Sequence, residues 1–124
     1  LGMQLFASEG DEDGFSEGLG FINGCVKRII LPENEKLKLP HIGFNTVNFN
    51  KNSILGKHID NNSDFYFVHS YHFLHQNINL LEATCEYGIN FTAAYEKDNI
   101  FATQFHPEKS QANGLQLLKN FLEI

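Results

Sequence analysis

The chain has 124 residues, 42% hydrophobic and 13% aromatic, enough to bury one core and too apolar for a disordered segment. Its formal charge is −6 and its nine Lys and Arg are scattered, so no basic stripe exists to neutralise phosphates, which excludes nucleic acid as a partner. No apolar run approaches the roughly 20 residues of a membrane span, and Cys25 and Cys85 form neither a pair motif nor a metal spacing, as expected of free thiols in a reducing cytoplasm.

Residues 1–8 bring Leu1, Met3, Leu5, Phe6 and Ala7 close together, which suits the start of a buried helix. Because the sequence opens inside what reads as an element, residues 1–124 are expected to be the C-terminal part of a single domain. Residues 9–20, rich in Gly, Asp and Glu, read as an exposed loop. They lack the alternating oxygen ligands and closing glutamate of a calcium loop. Residues 25–31 are β-branched and aliphatic and predict a strand stopped by Pro32. A polar linker follows at 34–39. Residues 43–49 alternate Phe44, Thr46 and Asn48 against Asn45, Val47 and Phe49, the period of a strand.

Residues 64–71 give the strongest strand signal, with an aromatic and β-branched centre at 65–68. Residues 80–86, 91–96 and 100–105 predict three successive strands, turned at Tyr87-Gly88 and Lys97-Asp98-Asn99. Residues 111–123 predict an amphipathic helix with Leu115, Leu118, Phe121 and Leu122 on one face and Ser110 as its N-cap. The fold class is mixed α/β, rich in strands.

The stretch with most chemistry is His106-Pro107-Glu108. Pro107 has no N–H and keeps His106 out of the α region, so the preceding strand ends there with the imidazole at the rim of a sheet. A carboxylate two residues on can accept the ring N–H, fix the tautomer and stabilise the imidazolium. The pair is a base with its orienter, and it lacks a nucleophile. Cys25 and Cys85 lie inside aliphatic strands without a Gly-rich turn, which favours structural roles. No serine sits in a Gly-x-Ser-x-Gly elbow. His69, His72 and His75 invite a metal reading, but on a strand His69 and His72 point to opposite faces. They read better as solvated histidines at a polar strand end, so no metal is expected.

Four stretches, in order, resemble one family. Leu1-Gly2-Met3-Gln4-Leu5 is similar to the tail of Gly-x-Cys-Leu-Gly-Met-Gln, the nucleophile elbow of class I (triad) glutamine amidotransferases. Phe67-Val68-His69-Ser70-Tyr71 and Gln104-Phe105-His106-Pro107-Glu108-Lys109-Ser110 recur there too. Pro40-His41-Ile42-Gly43-Phe44-Asn45 resembles the Pro-His-Met-Gly-Trp-Asn segment of the glutaminase subunits of imidazole glycerol phosphate synthase. The resemblance spans nearly the whole chain and implies an open mixed sheet flanked by helices, flavodoxin-like in type.

The resemblance implies that His106 is the general base and acid and Glu108 the carboxylate that orients it. The nucleophilic cysteine would immediately precede Leu1, whose backbone N–H would serve the oxyanion hole. Gln4, Ser70 and Tyr71 would hold the glutamine substrate. Phe44, Asn45, Tyr66 and Lys109 would face a (β/α)₈-barrel synthase subunit, the other half of a cytoplasmic heterodimer in histidine biosynthesis. No cofactor is implied. Phe44 stands where the family usually has tryptophan. That departure, with the Asn-rich stretch 49–62, leaves two alternatives open: a paralogous glutaminase feeding amidation of a surface-polysaccharide sugar, or a catalytically dead docking module.

Overall fold

The computed structural model describes residues 2–12, 14–76 and 79–124. One helical turn, α1 (Gly2–Leu5), precedes two short strands, β1 (Glu9–Gly10) and β2 (Ser16–Glu17), and then β3 (Cys25–Arg28). The strands β4 (His41–Asn48), β5 (Ser63–His69), β6 (Tyr71–Leu74), β7 (Leu81–Glu86), β8 (Asn90–Lys97) and β9 (Ile100–Thr103) follow. A 3₁₀ turn at Pro107–Lys109 leads into the long helix α2 (Gln111–Leu122). The α/β class holds, with mixed sheets flanked by few helices.

The strands divide between a four-stranded sheet, β2-β1-β3-β6, and a five-stranded sheet, β5-β4-β7-β8-β9. The smaller sheet is mixed: β1 runs parallel to β3, while its other pairs are antiparallel. All pairs of the larger sheet are antiparallel. Strand β8 contributes to both cores, because its interior residues are buried on both faces. Ala94 belongs to a cluster built on Phe65, Phe67, Phe91 and Phe105, and its neighbour Tyr95 to a second cluster with Met3 and Phe73. Alternating side chains thus join the layers.

Three expectations are corrected. The continuous strand over 64–71 is two strands: β5 ends at His69, β6 starts at Tyr71, and Ser70 is where the chain passes from one sheet to the other. The helix over 111–123 is present, but Leu115, Leu118, Phe121 and Leu122 are exposed and α2 buries Gly114, Leu117 and Asn120. Asn120 faces inward because its amide donates to the carbonyls of Leu55 (2.8 Å) and Lys57 (2.6 Å), bonds a leucine could not make. Ser110 occupies the N-cap position without capping. Its hydroxyl donates to the His106 carbonyl (2.7 Å) and accepts the Tyr66 N–H (2.9 Å).

Candidate active site

Phe105 is buried against Phe65 and Phe67, which anchors the segment leaving β9 before the chain reaches the surface. His106 then takes an extended conformation (φ −101°, ψ 98°), as the following proline requires. Its backbone N–H donates to the Tyr66 carbonyl at 2.9 Å, fastening the turn to β5. Through these bonds and the buried Ser110 hydroxyl, β5 and the 3₁₀ turn fix where the imidazole stands.

The ring Nδ1 of His106 lies 2.8 Å from Glu108 Oε1. The carboxylate's own backbone N–H holds Glu108 below the usual carboxylate range, and the bond from His106 acts in the same direction. An ionised Glu108 accepts from Nδ1–H, which leaves the other ring nitrogen, Nε2, as the basic atom. With side chains 40% and 60% exposed, the pair contributes little to stability and remains accessible to a ligand.

Gln104, just before this turn in the chain, lines a cleft of about 460 Å³ together with Gln4, Glu12, Arg28, His69, Ser70 and Tyr71 among others. Gln4, Ser70 and Tyr71 therefore line one cleft. Gln4 Nε2 donates to the Tyr71 carbonyl (3.2 Å) and to Gln104 Oε1 (2.9 Å), linking α1, the sheet crossover and the segment before His106. His106 and Glu108 are not among the lining residues; Gln104, two residues earlier, is the link between them and the cleft. Leu1 lies outside the described residues.

Sequence reading missed Glu12, Arg28 and Gln104. The first two were indistinguishable from ordinary loop and strand charges. Gln104 lies in the stretch 104–110, but its partner Gln4, 100 residues away, left no local signal. The cleft thus offers a carboxylate, a guanidinium cation and several carbonyl and amide groups, a set that suits a zwitterionic amino acid.

Phe44 and Tyr66 are cross-strand partners with ring centroids 5.4 Å apart, and Ile42 pairs with Val68 beside them. Phe44, Ile42 and Val68 are exposed, so β4 and β5 present an apolar ladder to solvent. Lys109 is exposed in the adjoining turn. Asn45 points to the other face, where its amide donates to the Glu86 carbonyl at 2.9 Å and meets His41.

His69 and His72 are both buried, each 7% exposed, which corrects the expectation of solvated histidines. Burial lowers His69 to about 4 and also lowers His72. His72 Nδ1 is buried without a hydrogen-bond partner among the described residues. Cys85 sits in the larger core, where burial pushes its thiol up to about 12, too high for a nucleophile at neutral pH. Cys25 lines a separate hollow with Ser8, Gly24 and Leu74.

Residues 1–124 match the family model described as glutamine amidotransferase class-I. The chain belongs to the class-I glutamine amidotransferases. Among curated relatives, this amidotransferase chain is 46% identical over 124 residues to imidazole glycerol phosphate synthase subunit HisH of Pelagibacter ubique (strain HTCC1062), covering 100% of the chain and 59% of the relative. It is 50% identical to subunit HisH 1 of Campylobacter jejuni (strain RM1221), covering 100% of the chain and 60% of the relative. It is 48% identical to subunit HisH of Acinetobacter baylyi (strain ATCC 33305 / BD413 / ADP1), covering 99% and 60%. The amidotransferase chain therefore spans about 60% of the length of these relatives. Among the described residues, no helix is long and apolar enough to cross a membrane.

Proposed function

We propose that this chain carries the base, the orienting carboxylate and much of the substrate cleft of a cytoplasmic glutaminase, as the C-terminal part of one amidotransferase domain. Its ammonia goes to a (β/α)₈-barrel synthase subunit that forms imidazole glycerol phosphate in histidine biosynthesis. The observation that carries the reading is the His106–Glu108 pair at 2.8 Å, two residues along the chain from Gln104, which lines a cleft with Gln4, Ser70 and Tyr71. The relatives named as HisH subunits favour the histidine pathway over a polysaccharide-sugar acceptor. An intact oriented histidine gives no support to a dead docking module.

The cysteine of the family's elbow, which in the motif directly precedes the position of Leu1, is the nucleophile. Its thiolate attacks the side-chain amide carbon of glutamine, and a carbon–sulfur bond forms as the carbonyl becomes an oxyanion. The Leu1 N–H is one proposed oxyanion donor. His106 Nε2 takes the thiol proton and delivers it to the departing nitrogen, so the carbon–nitrogen bond breaks and ammonia leaves. Water then attacks the thioester while His106 accepts its proton, releasing glutamate and restoring the thiol. Glu108 keeps the Nδ1 proton in place throughout and stabilises the imidazolium. In the cleft, Glu12 suits the substrate's α-amino group and Arg28 its α-carboxylate.

Ile42, Phe44, Tyr66 and Val68 supply an apolar docking face, with Lys109 at its border and Asn45 behind it. The test is glutamate release by the full-length protein with the purified barrel subunit and its acceptor nucleotide. Turnover that rises on adding the barrel subunit supports the reading. No turnover in the assembled pair contradicts it.

A further inference from the structure

Asn45, His41 and His69 form one hydrogen-bonded chain, buried at its centre, that ends on the wall of the cleft. The Asn45 side-chain oxygen accepts the Thr46 N–H at 2.8 Å, which fixes the orientation of its amide. Its Nδ2, a donor only, lies 3.2 Å from His41 Nε2. His41 Nε2 must therefore accept, and the single proton of the neutral ring sits on Nδ1. That atom is 2.9 Å from His69 Nε2, which accepts in turn. The proton of His69 is then on its own Nδ1, 2.9 Å from the Tyr71 carbonyl. Polarity set at Asn45 runs unbroken to Tyr71.

The surroundings keep this chain in place. His41 is 2% exposed and stacks on Phe67 and Tyr87, with centroids at 4.8 and 4.0 Å. Gly43, between His41 and Asn45 on β4, has φ 120°, a region that favours glycine. The far end of the chain spans Ser70, the residue at which the backbone leaves one sheet for the other. The Tyr71 carbonyl also takes a hydrogen from Gln4 Nε2, whose second hydrogen goes to Gln104. With both Nε2 hydrogens held, the group Gln4 has left to offer a ligand is its carbonyl oxygen.

We propose that His69, in the tautomer imposed by His41 and Asn45, is a positioning residue that holds the Ser70–Tyr71 backbone and the Gln4 amide in the geometry that binds substrate. This rests on the glutaminase reading of the cleft. The chain acts through these backbone and amide groups and touches no reacting atom. Removing the His69 donor leaves the half-buried Tyr71 carbonyl without one of its two side-chain donors, and the cleft wall loses its fixed direction.

The test compares His69→Asn with His69→Leu in the full-length protein with its barrel subunit present. The two replacements have nearly the same shape, but only asparagine keeps an N–H near the position of Nδ1. The KM for glutamine is expected to be about tenfold higher in the leucine variant than in the asparagine variant, with kcat values within about threefold. A purely structural role would move both variants together. Equal KM values, or a difference confined to kcat, overturn the proposal while leaving the glutaminase reading intact. Absence of turnover in the wild type overturns that reading and this proposal with it. Nitrogen NMR of the wild-type imidazoles gives a second check independent of variant folding. Protons on Nδ1 of both rings are expected, and a proton on Nε2 of either ring overturns the chain.

Discussion

A Cβ on Gly114 would stand 1.8 Å from the carbonyl oxygen of Pro107, so α2 can lie against the His-Pro-Glu turn only because position 114 has no side chain. The obstacle is backbone, which cannot swing aside as a flexible side-chain end could. Gly114→Ala should therefore push α2 off the turn and cost about 1–3 kcal/mol. A lowered denaturant midpoint with an unchanged slope is the expected signature. An unchanged midpoint would show that the helix does not brace the turn.

Glu96 is a buried carboxylate with a structural task. It accepts the Ser53 hydroxyl and the backbone N–H groups of Ile54 (2.8 Å) and Leu55 (3.2 Å), tying the Asn-rich loop to β8. Glu96→Ala leaves two inward-facing N–H groups without an acceptor, a cost of about 2–4 kcal/mol. Amide exchange at Ile54 and Leu55 should accelerate well beyond that at Phe65 or Phe67. Equal protection across these sites would contradict the clamp.

The buried histidines set a pH window. Burial lowers His41 and His69 from 6.5 to about 4, so the folded protein keeps both neutral where the unfolded chain protonates them. Their folded values are depressed, so below about pH 6.5 the unfolded state binds more protons. The stability they contribute is complete above about pH 6.5, shrinks as pH falls toward 4, and is gone below that. One histidine shifted this far corresponds to roughly 3 kcal/mol. The two face each other, so their joint effect falls short of twice that figure. His72 adds in the same direction. The urea midpoint should drop between pH 7.5 and 5, above the carboxylate range. A flat or rising midpoint there would contradict neutral burial.

The geometry of the His106–Glu108 turn was legible because its signal is local. Pro107 dictates the backbone of His106, and Glu108 is close enough in sequence to reach the ring. The strands were legible from aromatic and β-branched content, but the crossover at Ser70 was not, since both sides of it look like strand and a change of sheet has no compositional mark. The helix face misled because hydrophobicity favoured Leu115 and Leu118. Packing instead required the small Gly114 against Pro107 and the amide of Asn120 for two carbonyls. The His41–His69 bond joins residues 28 apart and depends on the β4–β5 register. Spacing alone pointed to a metal or to solvent instead.

The central claim is that His106 is the acid and base of a glutaminase, and its most direct test is His106→Ala in the full-length protein assembled with its barrel subunit. Glutamine hydrolysis should fall by about 10²–10⁴-fold, with the melting curve unchanged because the side chain is exposed and its bond to Glu108 lies at the surface. Turnover at the wild-type rate in a folded variant would contradict the assignment.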